Sequence, residues 1–354
     1  MSRQAESGSA GAGSFLPEEG ERSGERAALP RSGEKGAALL TAMIIVALIA
    51  TLASSMLWQQ YRAVQVEAAE RARTQSAWIL SGALDWARLI LREDAKAGGA
   101  DHHGEPWAVP LAEARLSTFL AADKSNTDDA PDAFLSGAIT DQQARLNLSN
   151  LVVGNKIDAD QLAALQRLCE AVGVSADVAQ RIANGLRDAA PPQPPDPNAS
   201  GAQAAPPVAD PPLLPRSTAQ LAWFGLDPAA LKTLEPFVTL LPTSGAPTKV
   251  NVNTAPREVL VAAIPGLDLA TAERIVQARQ RTPFKATDKV RELAPAISIA
   301  ALAQVDVASR FFEVRGRLRL DDIVLEQRSL VEKRGIDVYV LQKERVSSRD
   351  PAGS

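Results

Sequence analysis

Residues 37–61 run without a charged side chain, and nothing else in the chain restricts its fold as much. Residues 37–57 alone would make a helix of about 31 Å, the thickness of a bilayer's hydrocarbon core. The run holds no Pro and no Gly, so nothing in it breaks a helix. A core helix that is apolar on every side would need protein all round it, and a membrane span does not. No small-residue cleavage pattern ends the run, so it does not read as a removed signal peptide. Arg22, Arg26, Arg31 and Lys35 precede it, while Arg62, Arg71 and Arg73 follow. Counting Lys and Arg, this tilts the N-terminus to the inside.

The helix is expected to continue. Residues 62–96 contain only Gly82 as a breaker, and Ala77, Leu80, Leu84, Ala87 and Leu91 recur at three- and four-residue steps. That is one apolar stripe, ended by Gly98-Gly99. A rod over residues 37–96 would be about 90 Å long, half in lipid and half packed on a soluble head. Residues 1–34, rich in Gly, Ser, Glu and Arg, are expected to be disordered.

Beyond the rod, residues 111–121 read as a short helix and residues 138–151 as strand or extended chain. Residues 158–189, 217–241 and 254–302 read as largely helical. Residues 191–215 hold ten prolines and read as a surface loop or stiff linker. Residues 311–346 alternate apolar and polar side chains with turn signals between, which predicts an antiparallel meander. There is also an internal echo. "EAVGVSADVAQRIANGLRD" aligns with "AIPGLDLATAERIVQARQR", pairing Gly173 with Gly266, Ala179 with Ala272, Arg181 with Arg274 and Ile182 with Ile275. Upstream, "RLNLSNL" resembles "KVNVNTAP". In the second copy Thr254 is the expected N-cap and Pro256 the expected first-turn residue.

Several chemistries lack parts. Cys169 is the sole cysteine, and the two histidines, His102 and His103, are adjacent in a Gly/Asp stretch read as a solvated loop. Neither acyl transfer nor a zinc site can be built from them, and no phosphate-binding Gly-rich motif is present. No enzyme activity is expected. The second repeat copy resembles a helix-hairpin-helix motif, which raises DNA binding. Residues 251–281 hold four Arg against three acidic residues, and the chain carries a net charge of −4, which argues against it.

Lys35-Gly36 followed by an apolar helix that runs into a globular domain resembles the type IV prepilin-like proteins. "GAALLTAMIIVALIA" is similar to the minor pseudopilin K family of type II secretion systems. That resemblance implies cleavage after Gly36 by a prepilin peptidase, methylation of Ala37 as the new first residue, and retention of the helix. Most pilins carry Glu at the fifth mature position; here it is Thr41. The implied fold is α+β: a pilin-like head, its long N-terminal transmembrane helix packed on an antiparallel sheet. A large all-α insertion with two helix-hairpin-helix or SAM-like repeats interrupts that head. The expected organisation is a leader (1–36), a membrane helix (37–61), its periplasmic continuation (62–97) and the first part of the head (98–154). The insertion (155–305), the closing meander (306–346) and a tail (347–354) follow. The implied setting is the bacterial inner membrane, N-terminus cytoplasmic and head periplasmic. The implied role is at the tip of the pseudopilus, starting its assembly in the export of folded proteins. Implied partners are minor pseudopilins I and J, other pseudopilins, the prepilin peptidase, the inner-membrane platform and membrane lipid. Nucleic acid is not among them; the alternative is a bitopic membrane protein with a DNA-binding helix-hairpin-helix domain. No cofactor is expected apart from calcium, which relatives of the head bind. Residues 123–132 are dense in oxygen ligands but break the EF-hand rule at Asp128 and Phe134.

Overall fold

The computed structural model describes residues 34–116, 133–191, 212–243, 246–320 and 323–349. The expectations for residues 1–33, for the acidic stretch 123–132 and for nearly all of 191–215 lie outside the described residues.

One helix, α1 (Glu34–Ala97), is 64 residues long. Its residues through Glu70 fall in one compact unit, and residues from Arg71 onward fall in a second. In the first unit the side chains of residues 37–70 are all exposed. α1 ends where Gly98 and Gly99 take φ values of 64° and 119°, open to Gly at no steric cost.

In the second unit, five antiparallel strands form a sheet in the order β1-β2-β9-β10-β11. They are β1 (Leu111–Arg115), β2 (Ala133–Asp141), β9 (Phe311–Leu320), β10 (Ile323–Arg334) and β11 (Asp337–Arg349). Six short strands lie between β2 and β9 and are introduced below. The helix expected from residue 111 is therefore a strand at its start: Leu111–Arg115 pairs along β2, and edge pairing overrides the helical propensity of its residues. Leu84, Ala87 and Leu91 of α1 pack with Trp107, Phe312, Val314, Val331 and Val338, while Leu80 joins Ala133, Leu135 and Leu318. The rings of Trp107 and Phe312 meet edge to face at 5.1 Å. Close approach needs glycine on the sheet. Gly137 and Gly316 face each other across β2 and β9. A Cβ on Gly316 would lie 3.2 Å from Leu80 Cδ2, and one on Gly137 would lie 2.8 Å from the Arg315 carbonyl oxygen.

The chain between β2 and β9 is mainly helical and contains two stretches of like order. The first runs β3 (Leu146–Asn147), the hairpin β4 (Val152–Val153) and β5 (Lys156–Ile157), α2 (Ala159–Val172) and α3 (Ala176–Ala189). A 3₁₀ turn (Thr218–Phe224), α4 (Pro228–Leu234) and β6 (Val238–Thr239) complete it, with β6 parallel to β3. The second runs β7 (Val250–Asn251), α5 (Arg257–Ala263), α6 (Leu269–Arg281) and α7 (Asp288–Leu293). A 3₁₀ turn (Ala300–Gln304) and β8 (Val305–Asp306) follow, with β8 parallel to β7. Gly173 (φ 74°) and Gly266 (φ 82°) sit at corresponding turns. Ala179 and Ile182 are fully buried, as are Ala272 and Ile275. Both stretches share one apolar core. Residues 217–241 are less helical than expected, holding one 3₁₀ turn and one seven-residue helix. Thr254 does not cap α5: Pro256 occupies the N-cap, and the Thr254 hydroxyl donates to Asp141 at 2.6 Å.

These contacts set opposite expectations for two glycines. Gly137→Ala should lower stability by about 1–3 kcal/mol, because the new methyl meets backbone that cannot retreat. Gly82 in α1 has nothing within 4 Å of its would-be Cβ, so Gly82→Ala should raise stability by about 0.5–1 kcal/mol. Urea unfolding of the full chain in detergent, followed by tryptophan fluorescence, checks both.

Candidate functional site

Three features of the molecule bear on what it does: the apolar end of α1, the head segment of α1, and a polar hub where the helical region leaves the sheet.

At the apolar end, no residue in the most hydrophobic window is buried, and its mean hydropathy is 2.4. Ala37 and Thr41 lie on this segment, and the Thr41 hydroxyl donates to the Ala37 carbonyl at 2.8 Å. The side chain is thus satisfied by its own helix. Gly36 is helical in backbone, one residue before Ala37. Further on, the Arg62 guanidinium lies 5.6 Å over the Trp58 ring, with Tyr61 exposed beside it. Aromatic residues and a cation at the close of an apolar run suit the lipid headgroup level.

On the head segment, the helix period separates two faces. At about 100° per residue, Leu80, Leu84, Ala87 and Leu91 cluster on one side, and all are buried. Trp78 and Leu89 lie on the far side, 76% and 51% exposed, and Trp86 is 54% exposed at a groove beside the sheet. Between the two faces Ile79, Ala83 and Ile90 line this apolar groove of about 580 Å³, walled by Val109, Leu111 and Ile139. The sequence showed the stripe but not that the apolar surface extends around to two tryptophans.

The hub was invisible in the sequence. Asp141, the last residue of β2, is buried. Its Oδ2 accepts from Ser309 Oγ (2.6 Å), Thr254 Oγ1 (2.6 Å) and Asn251 Nδ2 (3.0 Å), and its Oδ1 accepts from Gln143 N (2.7 Å). Asn251 Nδ2 also donates to the Asp101 carbonyl and to Ser309 Oγ. Asn147 does similar work in the first stretch, binding Leu241 and Thr248. Nearby, Lys333 bridges Asp94 (3.0 Å) and Asp101 (2.5 Å). The stretch read as a solvated loop is therefore mixed. His103 is exposed, but Asp101 and Trp107 are buried because β10 and α1 close over them.

Three of the four arginines of the second hairpin are engaged within the chain, and Arg281 is exposed. Arg279 is buried and donates to the Val252 carbonyl, Arg257 pairs with Glu258 and Glu273, and Arg274 donates to Thr271. Phosphate contact needs such groups free at the surface.

Residues 144–243 and 250–308 each match a family model described as type II secretion system protein K. Over these two stretches the chain is similar to the type II secretion system protein K family. It is thus a minor pseudopilin of type II secretion. A protein of that name from Pseudomonas aeruginosa is 29% identical over 309 residues, covering 82% of this chain and 86% of the relative. The Klebsiella pneumoniae protein K is 27% identical, with 88% and 96% covered. Among solved structures, a GspK-GspI-GspJ complex from the enterotoxigenic Escherichia coli type 2 secretion system contains a chain of like fold. The TM-score is 0.58 at 19% identity, covering 79% of this chain and 99% of that one.

One group beside the hub titrates near neutrality. Burial pushes the Glu105 carboxyl from its ordinary 4.5 to about 7; bonds from His102 N and Trp107 Nε1 oppose the shift, and the Asp94 and Asp101 charges add to it. Lys333, Arg310 and Arg334 line the same cavity. A carboxyl raised in the folded state holds a proton that the unfolded chain has released. Its stability contribution is therefore present on the acid side and lost as pH rises from 4.5 through about 7. The thermal midpoint should fall across that window, and Glu105→Gln should flatten the fall.

Proposed function

We propose that this chain caps the tip of the type II pseudopilus and starts its assembly together with minor pseudopilins I and J. It does so while anchored in the inner membrane, N-terminus in the cytoplasm and head in the periplasm. In this reading the two like stretches of the helical region are helix-hairpin-helix copies used for packing. The assembled tip helps to export folded proteins across the outer membrane.

The observation that carries this reading is the second apolar face of α1. Trp78 and Leu89 lie on the far side of the helix and Trp86 stands half-exposed at the apolar groove beside the sheet, and large aromatic anchors of that kind are what a partner helix would cover. The similar solved chain comes from a complex with GspI and GspJ, which supports the same partners here. Thr41 fits an end position. A pilin Glu at the fifth residue would need the N-terminal amine of a neighbour, and an unpartnered carboxylate in lipid costs about 2.5–3.5 kcal/mol. Thr41 needs no neighbour, since it bonds to Ala37.

Co-purification tests the partner face. Trp86→Glu and Leu89→Glu should each weaken capture of pseudopilins I and J by tenfold or more, an effect of about 2 kcal/mol. The chain's own stability should move by less than about 0.5 kcal/mol, the usual range for surface positions. Undiminished capture by both variants would reject this face.

Processing tests the anchor. Mass spectrometry of the membrane-extracted protein should find a chain that begins at methylated Ala37, and Gly36→Val should retain the leader. An intact wild-type N-terminus in cells with active prepilin peptidase would overturn the processing step.

A further inference from the structure

Asp94, Asp101 and Glu105 bring their carboxylates within 4.8 Å of one another. They line a cavity of about 440 Å³ that Ser309, Arg310, Lys333 and Gly335 help to close. Since the resemblance extends to calcium, the fit of these residues to a divalent ion can be tested on their hydrogen bonds. Calcium takes six to eight oxygens at about 2.3–2.6 Å. Here four of the six carboxylate oxygens are already engaged. Asp101 Oδ1 lies 2.5 Å from Lys333 Nζ, and Asp101 Oδ2 accepts from Ser309 N at 2.6 Å. Asp94 Oδ2 lies 3.0 Å from the same ammonium. Glu105 Oε2 accepts from His102 N at 2.9 Å and from Trp107 Nε1 at 2.7 Å. A calcium ion would have to share the cavity with a largely buried ammonium, and like charges in such a place repel strongly. With Lys333 present, these residues do not fit the ion.

Lys333 is itself firmly placed. Its backbone N–H donates to the Arg310 carbonyl at 2.7 Å, and its ammonium lies 5.3 Å over the Phe312 ring. The side chain is 14% exposed. Its register is fixed by strand pairing, opposite Val338 in β10–β11.

We propose that Lys333 is the resident cation of this cluster: its ammonium holds the place a hard divalent ion would take, and removing it converts the cluster into a divalent-cation site. The ammonium joins the end of α1, the following loop and β10 by a charge that is part of the chain. That joint does not depend on the concentration of any ion outside the cell. Without Lys333, three carboxylates would remain within reach of one another, and the two guanidiniums of the same cavity, Arg310 and Arg334, are directed to Glu332. Such a group of carboxylates is the composition a calcium ion recognises.

Calcium stoichiometry of the full chain in detergent, measured by equilibrium dialysis after chelator treatment, tests this. Lys333→Met should bind one more calcium per chain than the wild type, and Lys333→Met/Asp101→Asn should lose the gain. Calcium held elsewhere is common to all variants and cancels in the difference. In the wild-type background Asp94→Asn should leave the count unchanged. This arm decides the matter even if Lys333→Met fails to fold. The proposal is overturned if folded Lys333→Met binds no more calcium than the wild type, or if Asp94→Asn alone lowers the wild-type count.

Discussion

The structure depends on how the helical region is let out of the sheet and brought back. β2 ends at Asp141 and β9 begins at Phe311, and Asp141 lies opposite Phe312 in the pairing of those strands. Everything between residues 142 and 310 therefore leaves and returns at one point. Loop-closure entropy rises only slowly with length, so a long excursion is tolerable provided its two ends are held. Asp141 holds them. Its carboxylate takes Ser309 from the returning end and both Asn251 and Thr254 from the middle of the excursion. Losing the carboxylate would leave several buried donors without acceptors, each costing about 1–3 kcal/mol. This is why an acid that burial alone would neutralise is used at the junction: no neutral side chain of that size accepts four bonds.

Much of this architecture was legible in the sequence, and what was not has a common cause. α1 and the three long strands show clear periods, 3.6 for the stripe Leu80–Leu91 and 2 for residues 311–346, and period is a local property. Leu111–Arg115 fails that test. Leu, Ala, Glu, Ala and Arg all favour a helix, and only the neighbouring β2 makes them a strand. Thr254 before a proline satisfies every local rule for an N-cap, yet a residue 113 positions away claims its hydroxyl. Asp141, Asn251, Ser309 and Lys333 carry no local mark at all, because each acquires its role from chain distant in sequence. Gly36, Ala37 and Thr41 stand apart from both groups. They were singled out by resemblance, and the geometry adds to them the bond from Thr41 to Ala37.

The edge of the sheet completes the picture of a subunit that does not add to itself. β11 is last in the strand order, with no strand on its far side among the described residues. An open edge of thirteen residues is a template for pairing with another chain. Two devices blunt it. Arg88 of α1 donates Nε and one terminal nitrogen to the Val338 carbonyl, at 3.0 and 2.8 Å, covering the start of the strand. The register then slips, with Val331 opposite Val340 but Leu330 opposite Gln342, so Leu341 is bulged. Past the bulge come Lys343, Glu344 and Arg345, all exposed. A two-fold antiparallel pairing of two such edges sets a residue against its own copy. Centred at 343, 344 or 345 it opposes lysine to lysine, glutamate to glutamate or arginine to arginine, and centred at 344 it also sets Lys343 against Arg345. Like charges directly opposite are unfavourable, so the edge disfavours self-pairing where it is most open. For a subunit proposed to stand once at the end of a filament, that matters as much as the apolar face offered to its partners. The tryptophans on α1 invite a different chain, while the charges on β11 turn away a second copy of this one.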